Sequence, residues 1–156
     1  MLDSRVPLEA SRSRIAAGGR AAGAPDPSAK MEAGILVRRR PHSSKLDAIL
    51  SGEAPPLSRE EAAATLGADP ADLERVISFA QSYGLTVVEA NAAKRTLRVS
   101  GTVSQMESAF GITLQSCETG GRLYTCYDGV LSIPAALEGI IVAVLGLDQR
   151  PVARHR

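Results

Sequence analysis

The stretch 95-RTLRVSGTVSQMESAFG-111 changes its hydrophobic period halfway along, and that change decides the fold. Leu97 and Val99 alternate with Thr96, Arg98 and Ser100, which predicts a strand with one buried and one polar face. From Thr102 the spacing becomes helical. Thr102 and Gln105 form a capping box, and Val103, Met106 and Phe110 make one inward stripe. Gly111 ends the helix, and Gly101 is expected to let the strand turn sharply into it. A strand running directly into a helix is half of a split β-α-β unit, and the flanking sequence has to supply the other half.

Upstream, residues 85–90 (LTVVEA) read as a strand joined to the first by a turn at 91–94 (NAAK). Residues 68–84 (ADPADLERVISFAQSYG) read as a helix with Asp69 as cap, Pro70 at the first helical position and Gly84 as stop. Leu73, Val76, Ile77 and Ala80 fall on one stripe of it. A second capping box, Ser58 with Glu61, opens residues 57–67, and residues 43–52 suggest a short helix ended by Gly52. Carboxylates near helix starts, among them Glu60, Glu61, Asp72 and Glu74, are explained by the helix dipole. Residues 31–41 (MEAGILVRRRP) predict the first strand, stopped by Pro41. Its Arg38, Arg39 and Arg40 read as a solvated strand end or a contact for an acidic partner surface.

Downstream, 112–117 (ITLQSC) and 122–127 (RLYTCY) read as a hairpin around Gly120 and Gly121. Residues 133–139 (IPAALEG) form a short helical turn, and 140–147 (IIVAVLGL) a strand buried on both faces. Residues 1–30, rich in Ala, Gly, Ser, Arg and Pro without periodicity, are expected to be a flexible leader. The glycine-rich run at 18–23 lacks the preceding strand and following lysine of a phosphate loop. The expected fold is therefore α+β, a ferredoxin-like split β-α-β sandwich. Its antiparallel sheet packs against two main helices, and an extra hairpin is appended. The domain is expected over 31–147, with 148–156 (DQRPVARHR) as an extended linker.

Composition narrows the function. Aromatics are 3% of residues and Trp is absent, so a base-stacking surface is excluded, and a net charge of +1 provides no field for nucleic acid or anionic membrane. No apolar run approaches the roughly 18–20 residues of a membrane span. The N-terminal twenty residues contain no signal-peptide-like apolar stretch. His42 and His155, the two histidines, have no carboxylate or cysteine at metal-ligand spacing and no nucleophile beside them. Cys117 and Cys126 lack zinc spacing; flanking a Gly-Gly turn, they either bridge the hairpin or remain two thiols. Nothing here assembles a catalytic constellation.

The ordered set GADPADLERV (67–76), YGLTVVE (83–89), VSGTVSQMESAFG (99–111) and AVLGLDQRP (143–151), with ILVRRRP as first strand, resembles the pro-kumamolisin activation domain. That is the N-terminal prosegment of sedolisin-type serine-carboxyl peptidases, and the resemblance covers roughly residues 31–151. It implies a propeptide that assists folding of a peptidase domain, blocks its cleft and is released in acid, in a secreted zymogen. The resemblance places the catalytic Glu-x-x-x-Asp pair, the Gly-Thr-Ser serine and a calcium site in the following peptidase domain. No Glu here is followed four residues on by Asp, and Gly101–Ser104 reads Gly-Thr-Val-Ser. The chain is thus expected to be no enzyme, to need no cofactor, and to have a peptidase domain as partner in cis or in trans. Its basic end, Arg150, Pro151, Val152, Ala153, Arg154, His155 and Arg156, is expected to run along the cleft or carry the processing bond. The competing expectation is a stand-alone ferredoxin-like binding or inhibitor module.

Overall fold

The computed structural model describes residues 4–13, 20–39, 51–52, 55, 58 and 67–149. Its central unit is a four-stranded antiparallel sheet. Three of its strands are β3 (Lys30–Val37), β4 (Thr86–Asn91) and β5 (Thr96–Thr102), and the fourth is β9 (Ile141–Leu145). The spatial order is β4-β5-β3-β9. Helix α1 (Pro70–Ser82) connects β3 to β4, and α2 (Val103–Phe110) leaves β5 directly. This is the split β-α-β arrangement, with the first strand central between the third and the last.

Local chemistry sets the helix ends. The Asp69 side chain accepts from the Ala71 amide, with Pro70 in the first turn. At α2 the Thr102 amide donates to Gln105 Oε1 at 2.9 Å, while the Gln105 amide donates to Thr102 Oγ1 at 3.2 Å. Gly111 closes α2 at φ 59, a conformation that penalises a side chain. Gly101 plays a different part from the one expected. Its φ is not positive; rather, a Cβ there would lie 2.6 Å from Leu85 Cδ2 and 2.8 Å from Gln105 Oε1. Close packing, not a sharp turn, requires glycine at that point.

Both helices cover one face of the sheet. Ile35, Val37, Leu97 and Val99 project into a core completed by Val76, Ala80, Met106 and Phe110, all essentially inaccessible. Phe79 meets Phe110 edge-on with centroids 6.0 Å apart, joining the two helices. The buried Asp72 carboxylate receives Arg38 Nε at 2.8 Å and Nη2 at 3.2 Å, which ties the end of β3 to the first turn of α1. Arg38, itself exposed, is therefore spent on an intramolecular tie, and this pairing raises its already high pKa.

The expected flexible leader contains two strands. β1 (Arg5–Ser13) pairs antiparallel with β8 (Gly129–Pro134), and β2 (Arg20–Gly23) pairs with β6 (Gln115–Thr119). β7 (Arg122–Cys126) completes a separate β2-β6-β7 sheet, so the anticipated hairpin is there but joins the leader and not the main sheet. Long-range contacts hold the described parts of this segment. Arg5 donates to the Ser132 hydroxyl (2.9 Å), the Tyr83 hydroxyl (3.0 Å), and the carbonyls of Ala109 (2.6 Å) and Ser132 (2.7 Å). One cation thus satisfies the end of α2 and fastens β1 to α1 and β8. Ser11 Oγ bridges the backbone amide and carbonyl of Val144, covering part of the β9 edge. The Pro27 and Ala29 carbonyls accept from the first amides of α2.

β9 also departs from expectation. Read as buried on both faces, it is an edge strand whose Val142 and Leu145 are 38% and 63% exposed. Its apolar run fills the helical side with Ile141 and Val144, but among the described residues no layer covers the other side.

Candidate functional site: the open face of the sheet

Away from the helices, the sheet presents a face that no described helix or strand covers. The alternation along β3 sends Lys30, Glu32, Gly34 and Leu36 outwards. β5 contributes Thr96, Arg98 and Ser100 to the same face. Registers align one row across all four strands, Glu89–Arg98–Gly34–Leu145. Arg98 and Glu89 form an exposed ion pair at 3.6 Å, which adds little stability in water.

Gly34 stands in the middle of that row. It has no positive φ, and a Cβ built on it would meet nothing within 4 Å. Neither backbone conformation nor packing among the described residues demands glycine there. A glycine in mid-strand costs roughly 0.5–1 kcal/mol relative to alanine, and often marks a bulge, a bend or a place where a ligand or another backbone comes close. The result is a notch of about 250 Å³ lined by Gly34, Glu89, Lys94, Thr96, Leu97 and Arg98, with exposed Leu145 on its far side.

A second hollow, about 400 Å³, lies between α1 and the 3-10 turn Ala135–Leu137, against Phe79, Tyr83, Pro134 and Leu137. It is mainly apolar, and it brings together no nucleophile and base. Among the described residues no three His, Cys, Asp or Glu side chains converge in a way that could hold a metal ion. Among them, too, no helix is long and apolar enough to cross a membrane.

The residues singled out from sequence are dispersed. Arg150, Pro151, Val152, Ala153, Arg154, His155 and Arg156 lie outside the described residues, as do Arg40, His42, Glu60 and Glu61. So do the two short helices expected at 43–52 and 57–67, apart from isolated positions. Arg39 is exposed beside the Arg38–Asp72 pair, and Glu74 is exposed on α1, in the helical layer. Cys117 and Cys126 are disulfide-bonded diagonally across β6 and β7, with Cα atoms 6.0 Å apart. The start of the expected linker is held in place. Leu147 is buried, Asp148 Oδ2 accepts from Ser13 Oγ at 2.7 Å, and the Gln149 amide donates to the Thr125 carbonyl at 2.7 Å.

Sequence reading missed the notch. The alternation that predicts β3 also places Gly34 on its outer side, but only the register across four strands brings Glu89, Arg98 and Leu145 beside it.

Comparison with known proteins agrees with this architecture. The model of the pro-kumamolisin activation domain matches residues 17–150. Kumamolisin of Bacillus sp. (strain MN-32) is 36% identical over 126 residues, covering 76% of this chain and 23% of that protein. Tripeptidyl-peptidase sed5 of Aspergillus fumigatus is 23% identical over 137 residues, covering 74% of this chain and 24% of that protein. The chain thus spans about a quarter of the length of the curated relatives it matches. With the ordered motifs, the split β-α-β sheet and the family match in agreement, this chain belongs to the pro-kumamolisin activation domain family.

Proposed function

We propose that this chain is the propeptide of a sedolisin-type serine-carboxyl endopeptidase, secreted as a zymogen, and has no catalytic role of its own. It acts as an intramolecular chaperone and as an inhibitor released on acid autoprocessing. No cofactor is assigned to it; the calcium of the family belongs to the peptidase domain. The observation that carries the reading is a sheet face that no described element covers, with a glycine at its centre that packing among the described residues does not need. A partner surface that seats a protruding side chain over Gly34, between Arg98 and Leu145, supplies the missing reason for that residue. The basic segment Arg150–Arg156 then continues from the anchored Leu147–Gln149 towards the substrate cleft, where an extended, proline-containing strand pairs as peptides commonly do.

Acid release follows from linkage. A carboxylate paired across the interface is held ionised in the complex. Its contribution is present at neutral pH and is lost as pH falls through its bound-state pKa. Glu32 and Glu89 are the carboxylates that β3 and β4 present on the open face.

The test is inhibition of a purified sedolisin-type peptidase by the folded chain, titrated near pH 7 and near pH 4. Tight inhibition that weakens in acid is expected. Gly34→Leu should weaken it tenfold or more, about 1.4 kcal/mol, without destabilising the chain. Affinity unchanged between the two pH values would sink the release mechanism. No inhibition at either pH from a demonstrably folded chain would move the reading to a stand-alone ferredoxin-like binding module.

A further inference from the structure

We propose that the Cys117–Cys126 disulfide is a redox-sensitive fastening of the β2-β6-β7 lobe. Its reduction releases that lobe and the chain exit at Gln149 while the four-stranded sheet stays folded. The inference concerns the chain alone and holds whether or not the open face docks on a peptidase.

Three observations carry it. First, among the described residues β2, β6 and β7 pair as strands with one another and with no strand of the other two sheets. Second, among the described residues the buried side chains of this lobe are Cys117, Tyr124 and Cys126, a cluster separate from the main core, while Leu123 on β7 is 69% exposed. Two of the three groups are the bonded cysteines, both fully buried. The lobe therefore has little apolar burial to hold it once the covalent link is gone, and a short sheet without a substantial apolar face is marginal in water. Third, the exit is pinned from both sides. Leu147 is buried in the main core, whereas the Gln149 amide is held by the carbonyl of Thr125, which lies between Tyr124 and Cys126 on β7. Loosening β7 removes the second anchor and leaves the first in place.

The chemistry is a two-electron reduction by a dithiol. A thiolate of the reductant attacks one sulfur, the Cys117–Cys126 bond breaks, and a mixed disulfide forms. The second thiol of the reductant then closes its own ring and releases the protein, leaving two protonated cysteines and one oxidised reductant. Both sulfurs are inaccessible in the closed lobe, so attack requires prior fraying of the hairpin, from its Gly120–Gly121 end.

The test is amide hydrogen exchange on the full chain, oxidised and after treatment with dithiothreitol, with far-UV circular dichroism as a check on the fold. Cys117→Ala/Cys126→Ala provides a form that no reductant can alter. Exchange at β6, β7 and Gln149 should accelerate tenfold or more on reduction and in the double variant, with β3 and β5 unchanged. Gln149→Pro, which removes the exit bond but keeps the disulfide, should leave the protection of β6 and β7 intact. Unchanged exchange in the lobe would overturn the proposal, and so would loss of β3 and β5 protection together with it. Release of β6 and β7 by Gln149→Pro would also overturn it, because the exit would then hold the lobe and not the reverse.

Discussion

The four-stranded sheet and the β2-β6-β7 lobe are both antiparallel, but different forces hold them. Behind the first stands a continuous apolar layer in which Ile35, Leu97, Val76, Met106 and Phe110 are inaccessible to water. The second has Tyr124 and a disulfide. A third unit, the β1–β8 ribbon, adds Leu8, Leu131 and Ile133 to the main core yet depends on the polar contacts of Arg5, Ser11 and Tyr127 for its placement. Because burial scales with area and a hydrogen bond contributes little net, these regions should fail in a defined order: lobe, ribbon, sheet.

The largest effect should come from breaking the core. Phe110→Ala removes a fully buried ring in contact with Phe79, and should cost about 3–5 kcal/mol in chemical denaturation. A loss under about 1 kcal/mol would mean that the helices and sheet are not one packed unit. Arg5→Ala removes four hydrogen bonds and should cost about 1.5–3 kcal/mol. Its effect should concentrate in faster amide exchange along β1 and β8. Equal acceleration in β3 and β5 would place the ribbon inside the core's cooperative unit.

Tyr127→Phe tests where ribbon and lobe meet. The phenol donates to the Ser11 carbonyl at 2.6 Å, and its loss should cost about 1 kcal/mol near neutral pH. Burial, reinforced by the charge of Asp148, raises the pKa of Tyr127. A phenol held protonated by the fold contributes stability that is present below its unfolded value of about 10 and is lost as pH rises through the folded value. The parent chain should therefore lose stability in alkali more steeply than the variant. Parallel curves above pH 10 would contradict this. The smallest effect has the opposite sign: Gly34→Ala should raise the stability of the isolated chain by about 0.5–1 kcal/mol, since its Cβ enters open space. A destabilised Gly34→Ala variant would remove the case for an external reason behind that glycine.

The amino-acid sequence by itself determined the strands and helices whose side chains alternate between core and solvent at a regular period. Leu97, Val99, Val103, Met106 and Phe110 announce β5 and α2 within fourteen consecutive positions, and Asp69, Pro70, Thr102 and Gln105 mark the helix starts through contacts three residues away or fewer. Such signals are local, so they survive without knowledge of the fold. The tertiary structure alone decided the rest. Arg5 lies in a polar segment with no period, and its four acceptors come from residues 78 to 127 positions away. β1 and β2 are strands because β8 and β6 offer them edges, not because of their own pattern. In β9 the apolar run could not reveal that only one side would be covered, and the notch at Gly34 exists only once four separated segments lie in register. Periodicity encodes which face of an element avoids water; what lies against that face depends on partners distant in the chain.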